Sequence, residues 1–301
     1  MNKKLYGLSV LGRFGLTHRL MAWARCVVWC TINNAELLYP NWYSFPIGPW
    51  LRREKDKRLY YSYFRNTLEV FSPKRLLVLL SLDKIPVENF DADDKKTEKS
   101  IVVFRNSIGG DTKKYFPTLI PYHKLIRLEL EKLVKPQYLP GKINTPHIAI
   151  HIRFGDFTAV NLDHLRSGSN NIRIPLAWYI ETLQQLRKKM GFNMPAYIYS
   201  DANLVELSDL LEIEDVYMAE NLPAITHLFL ISQSNLLIGS GSGFTLWGSF
   251  LGQVPRICFT GQRYANVLED PNLEIECENI EEIPIPILNK LLLILKNKEF
   301  T

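Results

Sequence analysis

The residues able to do chemistry gather at the ends of apolar runs. The segment "PHIAIHIRFGDF" at 146–157 closes on His151, Arg153 and Asp156. An arginine at a strand end either holds a phosphate through its planar fork of donors or pairs with Asp156 three residues on. His151 lies two residues earlier, so both side chains leave the same face of a strand. "GSGSGFT" at 239–245 leads from an apolar run into a helical one. Its small residues allow a close backbone approach, and the helix that follows offers unpaired N–H groups to an anion. A tight structural turn is the plain alternative. The stretch fails as a dinucleotide fingerprint, because the third glycine is replaced by Phe244 or Leu246 depending on register, and it has no P-loop Gly-Lys-Ser/Thr. Asp201, ending "YIYSD", either accepts hydrogen bonds from a base or ribose or caps the next helix. "GRFG" at 12–15 repeats the glycine-turn logic near the start of the chain.

These residues need strands to carry them. "LYGLSVL" at 5–11 reads as a strand, 17–32 as a helix with Leu20, Ala24, Val27, Val28 and Thr31 at helical spacing, and "AELLYP" at 35–40 as the next strand. Residues 83–100 are polar and charged and predict an exposed loop, and 116–134 becomes helical after Pro121. "KPQYLPGKINTP" at 135–146 is the candidate linker, dividing the chain into domains at 1–145 and 146–301.

The second half alternates strictly: strands at 147–153, 195–201, 214–219, 235–240 and 254–259, the last of them, with helices at 175–191, 202–211, 223–234 and 244–252 between. Such succession implies a doubly wound parallel sheet, whose ligands bind outside the carboxyl ends of the strands. A helix over 285–300 closes the chain.

"HIRFGDF" at 151–157, "IYSDA" at 198–202 and "SGSGFTLWGSFLG" at 240–252, in that order, resemble the motifs of the fucosyltransferase superfamily, most closely bacterial α-1,2-fucosyltransferases. The "GRFG" turn also resembles that of protein O-fucosyltransferases. The resemblance implies an α/β chain of two Rossmann-like domains facing a cleft (GT-B type), and an inverting, metal-independent glycosyltransferase. That enzyme would move fucose from GDP-fucose to a hydroxyl of a glycan or lipid-linked oligosaccharide. It implies that Arg153 grips the donor diphosphate and that Ser240, Ser242, Gly243, Phe244 and Thr245 line the phosphate and sugar side. Asp201 would lie near the guanine or ribose, and Gly12, Arg13 and Gly15 would form the opposing turn. Asp156 and His151 are the candidates to take the acceptor's proton. No cofactor or metal is expected. Phe154 stands where the family keeps a second arginine, Leu16 where it keeps an asparagine and Ala202 where it keeps a second aspartate. These departures leave open another GDP-sugar, or a non-catalytic glycan- or nucleotide-binding protein.

Composition bounds the partners. The chain has 301 residues, 47% hydrophobic and 22% charged, with a net charge of +5, a balance that favours anionic partners mildly. No nucleic-acid motif accompanies the charge. The richest apolar run, at 76–82, is too short to span a bilayer and is flanked by Lys74, Arg75, Asp83 and Lys84, so a soluble chain is expected. The start reads as no signal peptide, because Gly12 and Arg13 interrupt its apolar stretch. Cys26, Cys30, Cys258 and Cys277 lack metal-ligand spacing, and Cys26 and Cys30 share one helical face as packing residues. Reduced thiols and no export signal predict a cytoplasmic protein. The basic run at 51–58 and the C-terminal helix are candidate peripheral contacts with an anionic membrane, and the aromatics at 39–50 a candidate surface for stacking on acceptor sugars.

Overall fold

The computed structural model describes residues 5–43, 59–89, 99–105, 111–155, 157–159, 161–169 and 171–297. The chain divides into two compact units, Met1–Leu139 and Pro140–Thr301. Each is a parallel β-sheet flanked by helices, and two such Rossmann-like units in succession are the make-up of a GT-B-type chain.

The first unit runs β1 (Tyr6–Val10), α1 (Leu16–Ile32), β2 (Glu36–Leu38), α2 (Pro73–Ser81), β3 (Asp83–Pro86), β4 (Ser100–Arg105), α3 (Asp111–Leu119) and α4 (His123–Leu133). Its four strands lie in the order β2-β1-β4-β3, all parallel. The expected exposed loop over 83–100 is corrected at both ends. Asp83–Pro86 and Ser100 are strand residues paired to one another, Asp83 opposite Ser100, while 90–98 lie outside the described residues. Polarity hid β3 because it is an edge strand and mostly exposed, so no apolar alternation is required of it. The aromatic surface expected at 39–50 is also corrected in part. Trp42 is fully buried and stacked on Phe64, with ring centroids 3.7 Å apart, and so packs the loop; 44–58, including the basic run, lie outside the described residues.

The second unit runs β5 (Ile148–Ile152), α5 (Leu162–Arg166), α6 (Leu176–Met190), β6 (Ala196–Ser200), α7 (Ser208–Leu211), β7 (Val216–Met218), α8 (Ala224–Ile231), β8 (Leu236–Gly239), α9 (Gly243–Gly252), β9 (Arg256–Cys258), β10 (Glu274–Glu276) and α10 (Ile285–Asn297). The order is β10-β9-β8-β5-β6-β7, again all parallel. β9 is therefore not the last strand. β10 is three residues long, and one of its residues is Glu274, a buried charge that no apolar pattern announces. The helix expected over 202–211 is a short 3-10 turn, Leu204–Leu207, followed by α7.

Alternation along β5 divides the core. Ile148, Ile150 and Ile152 join Tyr179, Leu183, Leu186 and Met190 of α6 and Leu288, Leu291 and Leu295 of α10. The α6 residues recur at helical spacing, and each buried leucine contributes about 2 kcal/mol. Ala149 faces the other way, into a cluster with Tyr199, Leu237 and Ile231 of α8, and His147 and His151 share its side by the two-residue period. Among the described residues no helix is long and apolar enough to cross a membrane.

Candidate functional site

The second unit starts its sheet at β5, grows outward through β6 and β7, then returns to place β8 on the other side of β5. The connections diverge between β5 and β8, and in open parallel sheets ligands bind in the crevice at the carboxyl ends of such a pair. His151 is in register with Gly239, and the Ser240 N–H donates to the His151 carbonyl at 2.9 Å. The two strongest sequence signals therefore meet at one point.

His151 is buried, and its Nδ1 lies 3.0 Å from Thr245 Oγ1, 3.1 Å from Ser240 Oγ and 3.3 Å from Ser242 Oγ. The Phe244 ring stacks on the imidazole at 5.8 Å and 16°. Burial pushes the His151 pKa down to about 3; the Arg153 charge adds to this, and Asp201 opposes it. The ring is neutral at physiological pH and too weak a base to serve well there. The hydroxyls of Ser240, Ser242 and Thr245 share this one nitrogen, and its role in this geometry is to fasten the glycine-serine turn and the start of α9 to the end of β5.

That tie takes the usual cap away from the helix start. Ser242 occupies the cap position of α9 with extended backbone, but its side chain makes no capping hydrogen bond, its hydroxyl being turned to His151. Among the described residues no side chain caps the first-turn amides, at Gly243, Phe244 and Thr245, at the positive end of a ten-residue helix. Gly239 is required by close approach, since a Cβ there would lie 2.3 Å from Thr245 Cγ2.

Arg153 follows the last residue of β5 with its side chain 34% exposed, and its Nη1 lies 2.6 Å from Asp201 Oδ2. Asp201 Oδ1 accepts the Phe154 N–H at 2.9 Å, so one carboxylate holds both the guanidinium and the backbone beside it. Of the two sequence alternatives for Asp201, helix capping is overturned: Asn203 caps the next turn in a reciprocal arrangement with Glu206. Arg153 pairs with a carboxylate from the neighbouring strand, and Asp156 lies outside the described residues. Gly155 belongs to the site although sequence reasoning passed over it; a Cβ there would lie 2.2 Å from Asp201 Oδ2.

Phe154 is buried in the main core, which explains how an apolar residue fits so close to charged neighbours. The guanidinium of Arg173, also missed, lies 5.1 Å from its ring centroid, donates to the Phe157 carbonyl at 2.8 Å and pairs with Glu206 at 2.9 Å. Nothing in its sequence context marks Arg173, since its partners, the Phe157 carbonyl and Glu206, are distant in the chain. Ala202 packs partly buried against the same core.

Gly12, Arg13 and Gly15 belong to the first unit, in the turn between β1 and α1. Gly12 has a φ of +64°, Arg13 is exposed, and Gly15 takes the cap position of α1, which also lacks a side-chain cap. Leu16, at the first helical position, is buried, so the core claims it. Arg19, unmarked in the sequence, is fully buried; its Nε donates to the Phe14 carbonyl at 2.8 Å and its Nη1 to the Trp42 carbonyl at 3.2 Å, pinning the turn. Among the described residues no group of three His, Cys, Asp or Glu side chains is placed to hold a metal ion.

No model of a known protein family matches the chain, and no curated protein does. Solved structures do. The chain is similar to the NodZ alpha-1,6-fucosyltransferase co-crystallized with GDP, at 12% identity over 86% of this chain and 96% of that one, with a TM-score of 0.47. It is similar to the apo form of POFUT1, at 9% identity over 86% and 98%, with a TM-score of 0.44. It is also similar to a putative UDP-N-acetylglucosamine 2-epimerase from Listeria monocytogenes, at 11% identity over 99% and 90%, with a TM-score of 0.42. Likenesses at this level assign neither activity nor residues.

Proposed function

We propose that the protein is a glycosyltransferase that takes a GDP-sugar, GDP-fucose foremost, and transfers the sugar with inversion to a hydroxyl of a glycan or lipid-linked oligosaccharide. The observation that carries the reading is that Arg153, after the last residue of β5, and the uncapped start of α9, after β8, stand at the carboxyl ends of two neighbouring strands. Breaking a glycosyl-phosphate bond leaves negative charge on the diphosphate as positive charge develops on the sugar. Fixed donors aimed at the departing group lower that barrier, and removing one such donor costs about 10²–10³ in rate. Asp201 orients Arg153, and the hydroxyls gathered by His151 hold the turn that presents the α9 amides. The acceptor oxygen bonds to the sugar's anomeric carbon as the bond to GDP breaks, and the acceptor proton passes to a base. The low basicity of His151 leaves Asp156 as the base to test.

The reading is tested by titrating GDP, GDP-fucose and GDP-mannose calorimetrically into wild type and Arg153→Ala, then assaying GDP release over an acceptor panel. Fucose transfer that is lost in Arg153→Ala supports it. Tight GDP binding with no release on any acceptor points to a nucleotide-binding protein, and equal GDP affinity in the variant removes Arg153 from the donor site.

A further inference from the structure

α2 is apolar on two opposite sides. Val78, Leu79 and, just past the helix end, Leu82 recur at helical spacing on the side turned inward, where they join the core of the first unit. Pro73, Leu76, Leu77 and Leu80 recur at the same spacing on the side turned outward, and all four are exposed, Leu80 to 87%. A helix that is apolar all round is ordinarily covered all round. Arg75 holds this one in its rotation, its Nε donating to the Tyr39 carbonyl at 3.2 Å and its Nη1 to the Val70 carbonyl at 3.0 Å, so the outer leucines are fixed outward.

The patch extends beyond the helix. The 3-10 turn Thr67–Phe71 runs into α2 through Ser72, the helix cap, and it exposes Leu68 and Phe71. Tyr43 lies against Phe71 and against the exposed Tyr61, with ring centroids at 6.0 Å and 4.9 Å. Single exposed apolar residues are normal on a soluble surface, but Leu68, Phe71, Leu76, Leu77 and Leu80 fall within one short stretch, and a grouping of that kind marks an interaction surface.

The surrounding charges select the partner. From Arg65 onward, Arg65, Lys74, Arg75 and Lys84 outnumber Glu69 and Asp83. Residues 51–84 hold nine basic and four acidic side chains, a surplus of +5 that equals the net charge of the whole chain, so the remainder is neutral in sum. Lys74 and Lys84 are exposed at the two ends of α2, where Lys84 donates to the Leu79 carbonyl at 2.9 Å. An apolar face set in basic surroundings matches a surface that is anionic at its headgroups and apolar beneath them. A second copy of the chain would present the same face across a two-fold axis and set these cations against one another.

We infer that α2 and the turn before it rest on an anionic lipid surface, with Phe71, Leu77 and Leu80 entering the acyl boundary and Lys74 and Lys84 meeting headgroup phosphates. This contact is distinct from the two expected from sequence: the run at 51–58 lies outside the described residues, and α10 spends Leu288, Leu291 and Leu295 on the core. It is also independent of the chemistry at β5 and β8.

The test sediments the full chain with vesicles of phosphatidylcholine alone or mixed with phosphatidylglycerol, comparing wild type with the double variant Leu77→Ser and Leu80→Ser. Wild type is expected to sediment with the mixed vesicles and to be released by high salt. The double variant should partition on the order of tenfold more weakly, with an unchanged circular dichroism spectrum to show that the fold is retained. No sedimentation with either vesicle, equal sedimentation with both, or a double variant that sediments as wild type would overturn the inference. Light scattering without vesicles tests the other occupant: a wild-type dimer that dissociates in the double variant would assign the face to a second copy and overturn the lipid contact.

Discussion

Arg153 Nη1 lies 2.6 Å from Asp201 Oδ2, and the other oxygen of the same carboxylate holds the Phe154 N–H at 2.9 Å. One aspartate at the end of β6 therefore sets both the direction of the guanidinium and the path of the chain leaving β5. Both side chains are about one-third exposed, so the pair itself adds little to stability, less than about 1 kcal/mol, and its value is in orientation.

The space for that carboxylate depends on Gly155. Gly155→Ala is expected to displace Asp201, weaken GDP binding and cost about 1–3 kcal/mol by overpacking. Adding Asp201→Ala should recover most of the stability lost to the alanine, because the clash partner is gone, without recovering the orientation of Arg153. Urea unfolding of the two single variants and the double variant measures this; strictly additive losses would show that the two residues are not in contact.

The neutral state of His151 gives an acid limb to stability. Its folded value of about 3 lies below the unfolded value of about 6.5, so between these the unfolded chain binds more protons. The contribution is complete above about pH 6.5 and is lost as pH falls, amounting to about 2–3 kcal/mol by about pH 4.5. His147 and His227, also lowered by burial, act in the same direction. Unfolding free energies from urea titrations at neutral and acid pH should differ less in His151→Asn than in wild type by about that amount. An unchanged difference would mean that the imidazole is not held neutral.

Arg256 and Glu274 form a fully buried ion pair, and Glu274 Oε1 also accepts the N–H groups of Val267 at 2.7 Å and Leu268 at 2.8 Å. Glu274→Ala strands a buried cation and two amides, at a cost of about 3–5 kcal/mol. Adding Arg256→Met removes the cation but not the orphaned amides, so it should restore only part of the loss in urea unfolding. Full recovery would show that the amides find other partners.

The four cysteines are buried as free thiols, and burial raises Cys258 to about 11, Cys277 to about 12 and Cys26 well above its ordinary value. A thiol reagent at mildly alkaline pH should leave the folded protein unmodified and label all four sites in urea. Rapid labelling of the native protein at any of them would contradict their packing.

Several elements were legible because their signals are local. The 3.6-residue apolar period marked α1 and α6, the strand, glycine turn and helix sequence marked the start of the first unit, and strict alternation of strand and helix marked the second. β3 and β10 were not legible, since one is an exposed edge and the other carries a buried charge whose partner, Arg256, is 18 residues away. Asp201 read equally well as a helix cap, and only the observed cap at Asn203 with Glu206 removed that alternative.

By itself the sequence determined which residues stand at strand ends, because periodicity and turn chemistry act over a few residues. It placed Arg153 after one apolar strand and the glycine-serine turn after another. The tertiary structure decided that β8 returns to lie beside β5 and that β6 lies on its other side. That order brings three hydroxyls to His151 and a carboxylate to Arg153. Strand order is a long-range packing solution, fixed by how whole helices and strands bury their apolar faces, and no window of local pattern contains it.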